Sequence, residues 1–207
     1  MPAVDLVLAS ASPARLALLR AAGIEPTVIV SDVDEDAITA EVGDDEPDVL
    51  VAALARAKAE AVAARLDPTV APTVVLGCDS LFSFGGRTWG KPADAAEAVA
   101  RIRSMREGEG VLHTGHHLID VRDDRFVHAV ASTTVRFGPM TDSEVDAYVA
   151  TGEPLRVAGS FTLDGRSAPW IEGVEGDHTN VVGLSLPTLR DLLGRMEISI
   201  VDLWDEG

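Results

Sequence analysis

The sequence predicts an α/β fold with a mixed sheet, and three observations support this. In the first half, short apolar segments that read as strands alternate with longer helical patterns, as in strand–helix–strand units. Beyond Arg106 the pattern changes to paired strand-like runs that double back, which adds antiparallel pairing. Finally, 207 residues with 46% hydrophobic and 25% charged side chains suffice for a sizeable core. No repeat, low-complexity tract or linker interrupts the chain, so residues 1–207 are expected to form one domain.

The elements follow in order. Val4 to Ala9 reads as a short buried strand running into Ser10-Ala11-Ser12. Pro13 then suits a first helical position, and Gly23 stops the helix that follows. Thr27 to Val30 is a second strand. The acidic stretch from Ser31 to Asp48 reads as a solvated loop, as blocks of like charge commonly do, with Glu35 the one acid drawn inward. A helix starts near Pro47 and runs to Leu66. Thr73 to Cys78 is a β-branched strand ending at Asp79-Ser80, and Gly85-Gly86 marks a hairpin turn. A helix spans Ala93 to Arg106, and a long hairpin pairs His113–Val121 with Phe126–Phe137. Thr141 and Glu144 have capping-box spacing and open a helix to Ala150. Short strands at Ser160–Leu163 and Trp170–Val174 precede a last helix from Pro187 to Arg195.

Charge narrows the function. Seventeen basic against 34 acidic residues give a net charge of −17, which excludes a nucleic-acid scaffold held by phosphate contacts. No basic residue occurs between Arg20 and Arg56, and only two lysines are present, Lys58 and Lys91. The single cysteine, Cys78, cannot form an intramolecular disulfide. The N-terminus lacks a signal peptide's basic start and no apolar run approaches a membrane span, so the expectation is a cytoplasmic protein without a membrane partner.

Five local features bear on chemistry. At the first strand–helix junction, unpaired N–H groups and the positive dipole end favour anions. Ser10, Ser12 and Arg15 would complete a phosphate cradle there, although capping by Ser12 alone also explains the pattern. Asp79, read at a strand's C-terminal edge, is placed to hold Mg²⁺ or Mn²⁺ or to orient a water, or simply to cap a turn. Cys78 faces the other side of that strand and reads as core. The stretch from Gly85 to Pro92 imitates a phosphate-binding loop. However, Pro92 stands where the metal-binding hydroxyl belongs and the segment reads as a hairpin, so only Lys91 is kept as a phosphate contact. In so arginine-rich a chain the two lysines stand out, because a movable point charge reaches a phosphate where a planar fork does not fit. His113, His116 and His117 lack metal-ligand spacing.

Several stretches together resemble the Maf family of nucleotide pyrophosphatases. They are Leu8–Pro13, Ser31–Glu35, Leu54–Ala59, Gly77–Ser80, Gly90–Pro92, Tyr148 with Thr151–Pro154, Ala158–Phe161 and Asn180–Leu184, in family order over nearly the whole chain. The resemblance implies a two-lobed α/β fold around a central cleft, similar to inosine triphosphatases. It implies hydrolysis of a nucleoside triphosphate to monophosphate and pyrophosphate with a divalent cation. Ser10, Ser12 and Arg15 would hold phosphates, and Glu35, Lys58 and Lys91 would line the cleft. Asp79 would accept the proton, and Glu35 with Asp79 would meet the metal. Ala14, Ser80, Asp164 and Val157 depart from the family's subgroup patterns at positions framing the base, so the base preference stays open. A rival reading is a nucleotide-binding regulator of septum formation in which hydrolysis is incidental. Monomer and homodimer are equally compatible with the sequence.

Overall fold

The computed structural model describes residues 4–69 and 71–204; the ends of the expected 1–207 domain lie outside the described residues. Its centre is a seven-stranded sheet with both kinds of pairing. Strand β1 (Asp5–Leu8) lies between β2 (Thr27–Val28) and β3 (Thr73–Phe84), parallel to both, with Leu8 opposite Leu76. Past Leu76, β3 continues without β1 and pairs antiparallel with β5 (Glu109–Asp120) and with the short β4 (Arg87–Trp89). The sheet then runs antiparallel through β6 (Arg125–Phe137) to β7 (Ile171–Glu175). The mixed-sheet α/β class expected from the alternation is what forms.

Helix α1 (Pro13–Ala21) begins as its sequence dictates, with Ser12 Oγ accepting from the Arg15 N–H and Pro13 in the first turn; the αL glycine Gly23 follows. Helix α3 (Pro47–Ala63) lies across β3 and β5 at two glycines. A Cβ at Gly77 would fall on the Ala55 carbonyl oxygen and 2.8 Å from the Ala59 nitrogen; one at Gly115 would fall on the Val51 carbonyl. Only bare backbone lets the helix lie this low. Helices α4 (Ala95–Met105) and α5 (Asp142–Ala150) cover the other end of the sheet, α5 with the expected capping box between Thr141 and Glu144. The short α6 (His178–Val182) leads to α7 (Leu186–Arg195).

The core is divided. One cluster joins Leu6, Leu8, Leu76, Cys78 and Leu118 to Leu19 of α1 and Leu189, Leu192 and Leu193 of α7. A second gathers Phe82, Ile102, Val135, Phe137, Tyr148 and Phe161, where Phe161 meets Phe82 and Phe137 edge-on at 5.0 Å each. A third lies under α3, around Val7, Val62 and Val75.

Three expectations are corrected. The acidic stretch is not a loop throughout, because α2 (Glu35–Val42) forms inside it. Asp34 caps the Ala37 N–H at 2.9 Å, and Glu35 and Asp36 complement the dipole in the first turn. The helix is nonetheless largely exposed, as a solvated segment should be. Asp79 does not end its strand, because β5 and β4 supply partners as far as Phe84. Ser160–Leu163 is no strand: Gly159 and Ser160 both take left-handed φ (71° and 61°), which breaks extended pairing.

Candidate active site

Because β1 ends at Leu8 while β3 runs on, a cleft of about 720 Å³ opens where the parallel pairing gives way to the antiparallel part. That is a typical size for a small-molecule site, and an end of parallel pairing is a usual place for one. Every position read from the sequence as a phosphate, metal or base contact lines it: Ser10, Ser12, Ala14, Arg15, Glu35, Lys58, Asp79, Ser80, Lys91, Val157 and Asp164.

The floor is an ion triad. Lys58, from α3, reaches Asp79 Oδ1 at 2.5 Å and Glu35 Oε1 at 2.7 Å. The three come from α3, β3 and the first turn of α2, and the glycine seat beneath α3 sets the depth of the lysine. The Lys58 and Asp79 side chains are buried, at 9% and 12% exposure, whereas Glu35 is 56% exposed and approaches from the rim. Asp79 Oδ2 accepts no hydrogen bond among the described residues.

Arg15 forms a second centre. Its guanidinium donates from Nε to the Gly183 carbonyl at 2.7 Å, from Nη1 to Ser10 Oγ at 3.0 Å and from Nη2 to Ser80 Oγ at 3.0 Å. Ser80 Oγ in turn shares a hydrogen bond with Thr114 Oγ1. Arg15 is buried and has no carboxylate partner among the described residues. A buried cation held only by neutral groups is electrostatically unfinished, and an anion in the cleft completes it. The α1 N-terminus on the same wall adds its dipole.

Lys91 lies in the loop between β4 and α4, exposed and without an ion-pair partner among the described residues. Sequence reasoning missed Arg156, which also lines the cleft and is exposed without such a partner; its one local signal was its place between Pro154 and Ala158. Cations Arg15, Lys58, Lys91 and Arg156 thus face carboxylates Glu35, Asp36, Asp44, Asp79 and Asp164.

The histidines and the cysteine lie elsewhere. His113 Nδ1 meets Asp48 at 2.5 Å and Ser132 Oγ at 3.0 Å. His117 stacks with Phe126 and His128. His116 Nε2 accepts from the Ser185 N–H at 2.9 Å; burial and the nearby Arg15 charge push its pKa down to about 4. Burial in the core raises the Cys78 thiol to about 12.

Fold and cleft define a mixed-sheet α/β protein with an ion-paired, anion-seeking site at its topological junction. The family model described as Maf-like protein matches residues 5–196, and the chain belongs to the Maf family. Over 203 residues it is 56% identical to a nucleoside triphosphate pyrophosphatase of Streptomyces avermitilis and 57% identical to one of Streptomyces coelicolor. Each alignment covers 98% of this chain and 96% of the relative. A protein of the same name from Salinispora tropica is 54% identical, with coverage of 98% and 88%. Among the described residues no helix is long and apolar enough to cross a membrane.

Proposed function

We propose that this chain is a nucleoside triphosphate pyrophosphatase that hydrolyses ribo- or deoxyribonucleoside triphosphates, non-standard or modified ones included, to the monophosphate and pyrophosphate. The observation that carries the reading is the convergence of Glu35, Lys58 and Asp79 on one point of a cleft that also holds a buried, uncompensated Arg15. The names of the relatives agree with it.

A divalent cation fits the residues present. Glu35 and Asp79 place two hard carboxylate donors on either side of Lys58, each with a second oxygen that the lysine does not hold, and Mg²⁺ or Mn²⁺ commonly takes one or two carboxylates together with substrate phosphates. Such an ion would neutralise phosphate charge and polarise the phosphoryl oxygens. The cleft's surplus of carboxylates over cations suits a triphosphate arriving with its cation better than a bare one.

The protein's own groups do the remaining work. Ser10, Ser12, Arg15 and the α1 N-terminus bind the phosphate chain, joined by Lys91, which also lines the cleft. Asp79 takes a proton from the attacking water as its oxygen bonds to the α-phosphorus. The bond from the α-phosphorus to the α–β bridging oxygen then breaks, and pyrophosphate leaves with the electron pair. Lys58 fixes the Asp79 carboxylate by holding Oδ1, leaving Oδ2 for the water. Ala14, Ser80, Val157 and Asp164 line the same cleft, which supports reading them as the positions that would frame the base.

Asp79→Asn tests this. The amide keeps the shape but cannot accept the proton, so pyrophosphate release should fall about 10²–10⁴-fold with the fold intact. Turnover at the wild-type rate removes Asp79 from the role. A screen of canonical, methylated and deaminated triphosphates with Mg²⁺ or Mn²⁺, resolving pyrophosphate from orthophosphate, tests the reaction itself.

A further inference from the structure

The Lys91 side chain makes no hydrogen bond or ion pair with any described residue, so only its backbone sets the point from which the ammonium reaches. Two side chains reach the backbone of residues 89–93 among the described residues, and both belong to α4. Arg101 Nη1 donates to the Gly90 carbonyl at 2.7 Å, and Glu97 Oε2 accepts from the Ala93 N–H at 2.7 Å. The two are locked together: Arg101 Nη2 and Nε donate to Glu97 Oε1 at 2.6 and 3.1 Å. The guanidinium also lies over the Trp89 ring, 5.5 Å from its centroid, and is only 13% exposed. The loop is thus gripped on both sides of Lys91. The Gly90 carbonyl accepts a second bond from the Gly159 N–H at 3.3 Å, which ties the loop to the turn following Val157.

We propose that Arg101, acting with Glu97, is a positioning residue for Lys91. The inference rests on the reading of Lys91 as a phosphate contact. Arg101 does not line the cleft; it fixes the carbonyl before Lys91, and Glu97 fixes the amide two residues after it. The task suits an arginine, because its rigid planar fork serves the Glu97 carboxylate and the Gly90 carbonyl in one fixed geometry while its face lies over Trp89, whereas a rotating ammonium offers no such plane. A lysine on a held backbone starts its reach to a phosphate from a fixed point, and an error of about 1 Å at such a contact is costly. In the sequence, Glu97 and Arg101 look only like an ordinary i,i+4 surface pair.

A double-mutant cycle tests the proposal in the full chain. Pyrophosphate release, with the canonical, methylated and deaminated ribo- and deoxyribonucleoside triphosphates of the screen above and Mg²⁺ or Mn²⁺, and Tm are measured for wild type, Lys91→Ala, Arg101→Met and the double variant. Lys91→Ala should lower kcat/KM about 30-fold, as expected for loss of a charged hydrogen bond. Arg101→Met should cost about tenfold alone but less than about twofold once Lys91 is gone, because the two act as one unit. Arg101→Lys should fall between wild type and Arg101→Met. An equal Arg101→Met loss on both backgrounds overturns the proposal and leaves Arg101 a structural residue. Wild-type kinetics in Lys91→Ala, or no pyrophosphate from the wild type, would instead overturn the underlying reading of the site. If Arg101→Met does not fold, Glu97→Ala, at the 40%-exposed end of the pair, gives the same cycle.

Discussion

Gly77→Ala is the most searching test of how the site is built, because one methyl group should disturb stability and chemistry together. The glycine's φ is not positive, so alanine suits the backbone and the effect is purely steric. The added carbon would lie on the Ala55 carbonyl oxygen, 2.8 Å from the Ala59 nitrogen and 2.9 Å from its Cβ. These are largely backbone atoms of α3, which no rotamer change can move, so the helix itself must rise by about 1 Å to restore close-packed contact. Such overpacking costs about 1–3 kcal/mol. Removing a glycine from the unfolded chain returns about 0.4–1 kcal/mol, leaving a net loss of about 1–2 kcal/mol. In a chain of this size that lowers Tm by roughly 2–8 °C. Lys58 lies between Ala55 and Ala59 in sequence, so its 2.5 Å bond to Asp79 should lengthen by a similar distance. A misplacement of that size costs on the order of 100-fold in turnover. Urea or thermal denaturation gives the first quantity and pyrophosphate release the second. Wild-type Tm and turnover in Gly77→Ala would refute the glycine seat as the device that sets the triad. A Tm loss with turnover unchanged would refute only its link to chemistry.

Two further outcomes follow from buried titratable groups. His116 has its pKa lowered to about 4, so between about pH 6.5 and 4 the unfolded chain binds a proton that the folded one refuses. Stability is therefore present above that window and lost as pH falls through it, by on the order of 3 kcal/mol for this residue. Tm measured against pH should show a flatter acid limb in His116→Gln than in wild type, and identical limbs would refute the assignment. Cys78, buried with its thiol pushed up to about 12, should react with a disulfide reagent on the order of 10³-fold more slowly in the native state than in urea. Rapid native labelling would contradict its place in the core.

How much was legible can be judged residue by residue. Ser12 and Pro13, and Thr141 with Glu144, are capping signals satisfied within one helical turn, so those helix starts were readable directly. The acid run was harder. Its like charges argue for a solvated loop, yet Asp34, Glu35 and Asp36 sit where a helix N-terminus welcomes negative charge, and one turn further on that local gain decided the matter. Asp79 was readable as a cleft residue but not as a mid-strand one, because the length of β3 depends on its partners, above all β5, whose pairing lies tens of residues away.

By itself the sequence determined the α/β class, the family and a large share of the residues that line the cleft. Each of these is written in local pattern or in motif order, and the eleven positions read as phosphate, metal or base contacts do line one cleft. Tertiary structure alone decided what those residues do to one another. It set Lys58 between Glu35 and Asp79, bonded the guanidinium of Arg15 to Gly183 across 168 residues of chain, and bonded Arg101 to the Gly90 carbonyl that precedes Lys91. The physical reason is that charge pairing and desolvation depend on distance in space. In this fold that distance is fixed where Gly77 and Gly115 let a helix settle onto the sheet.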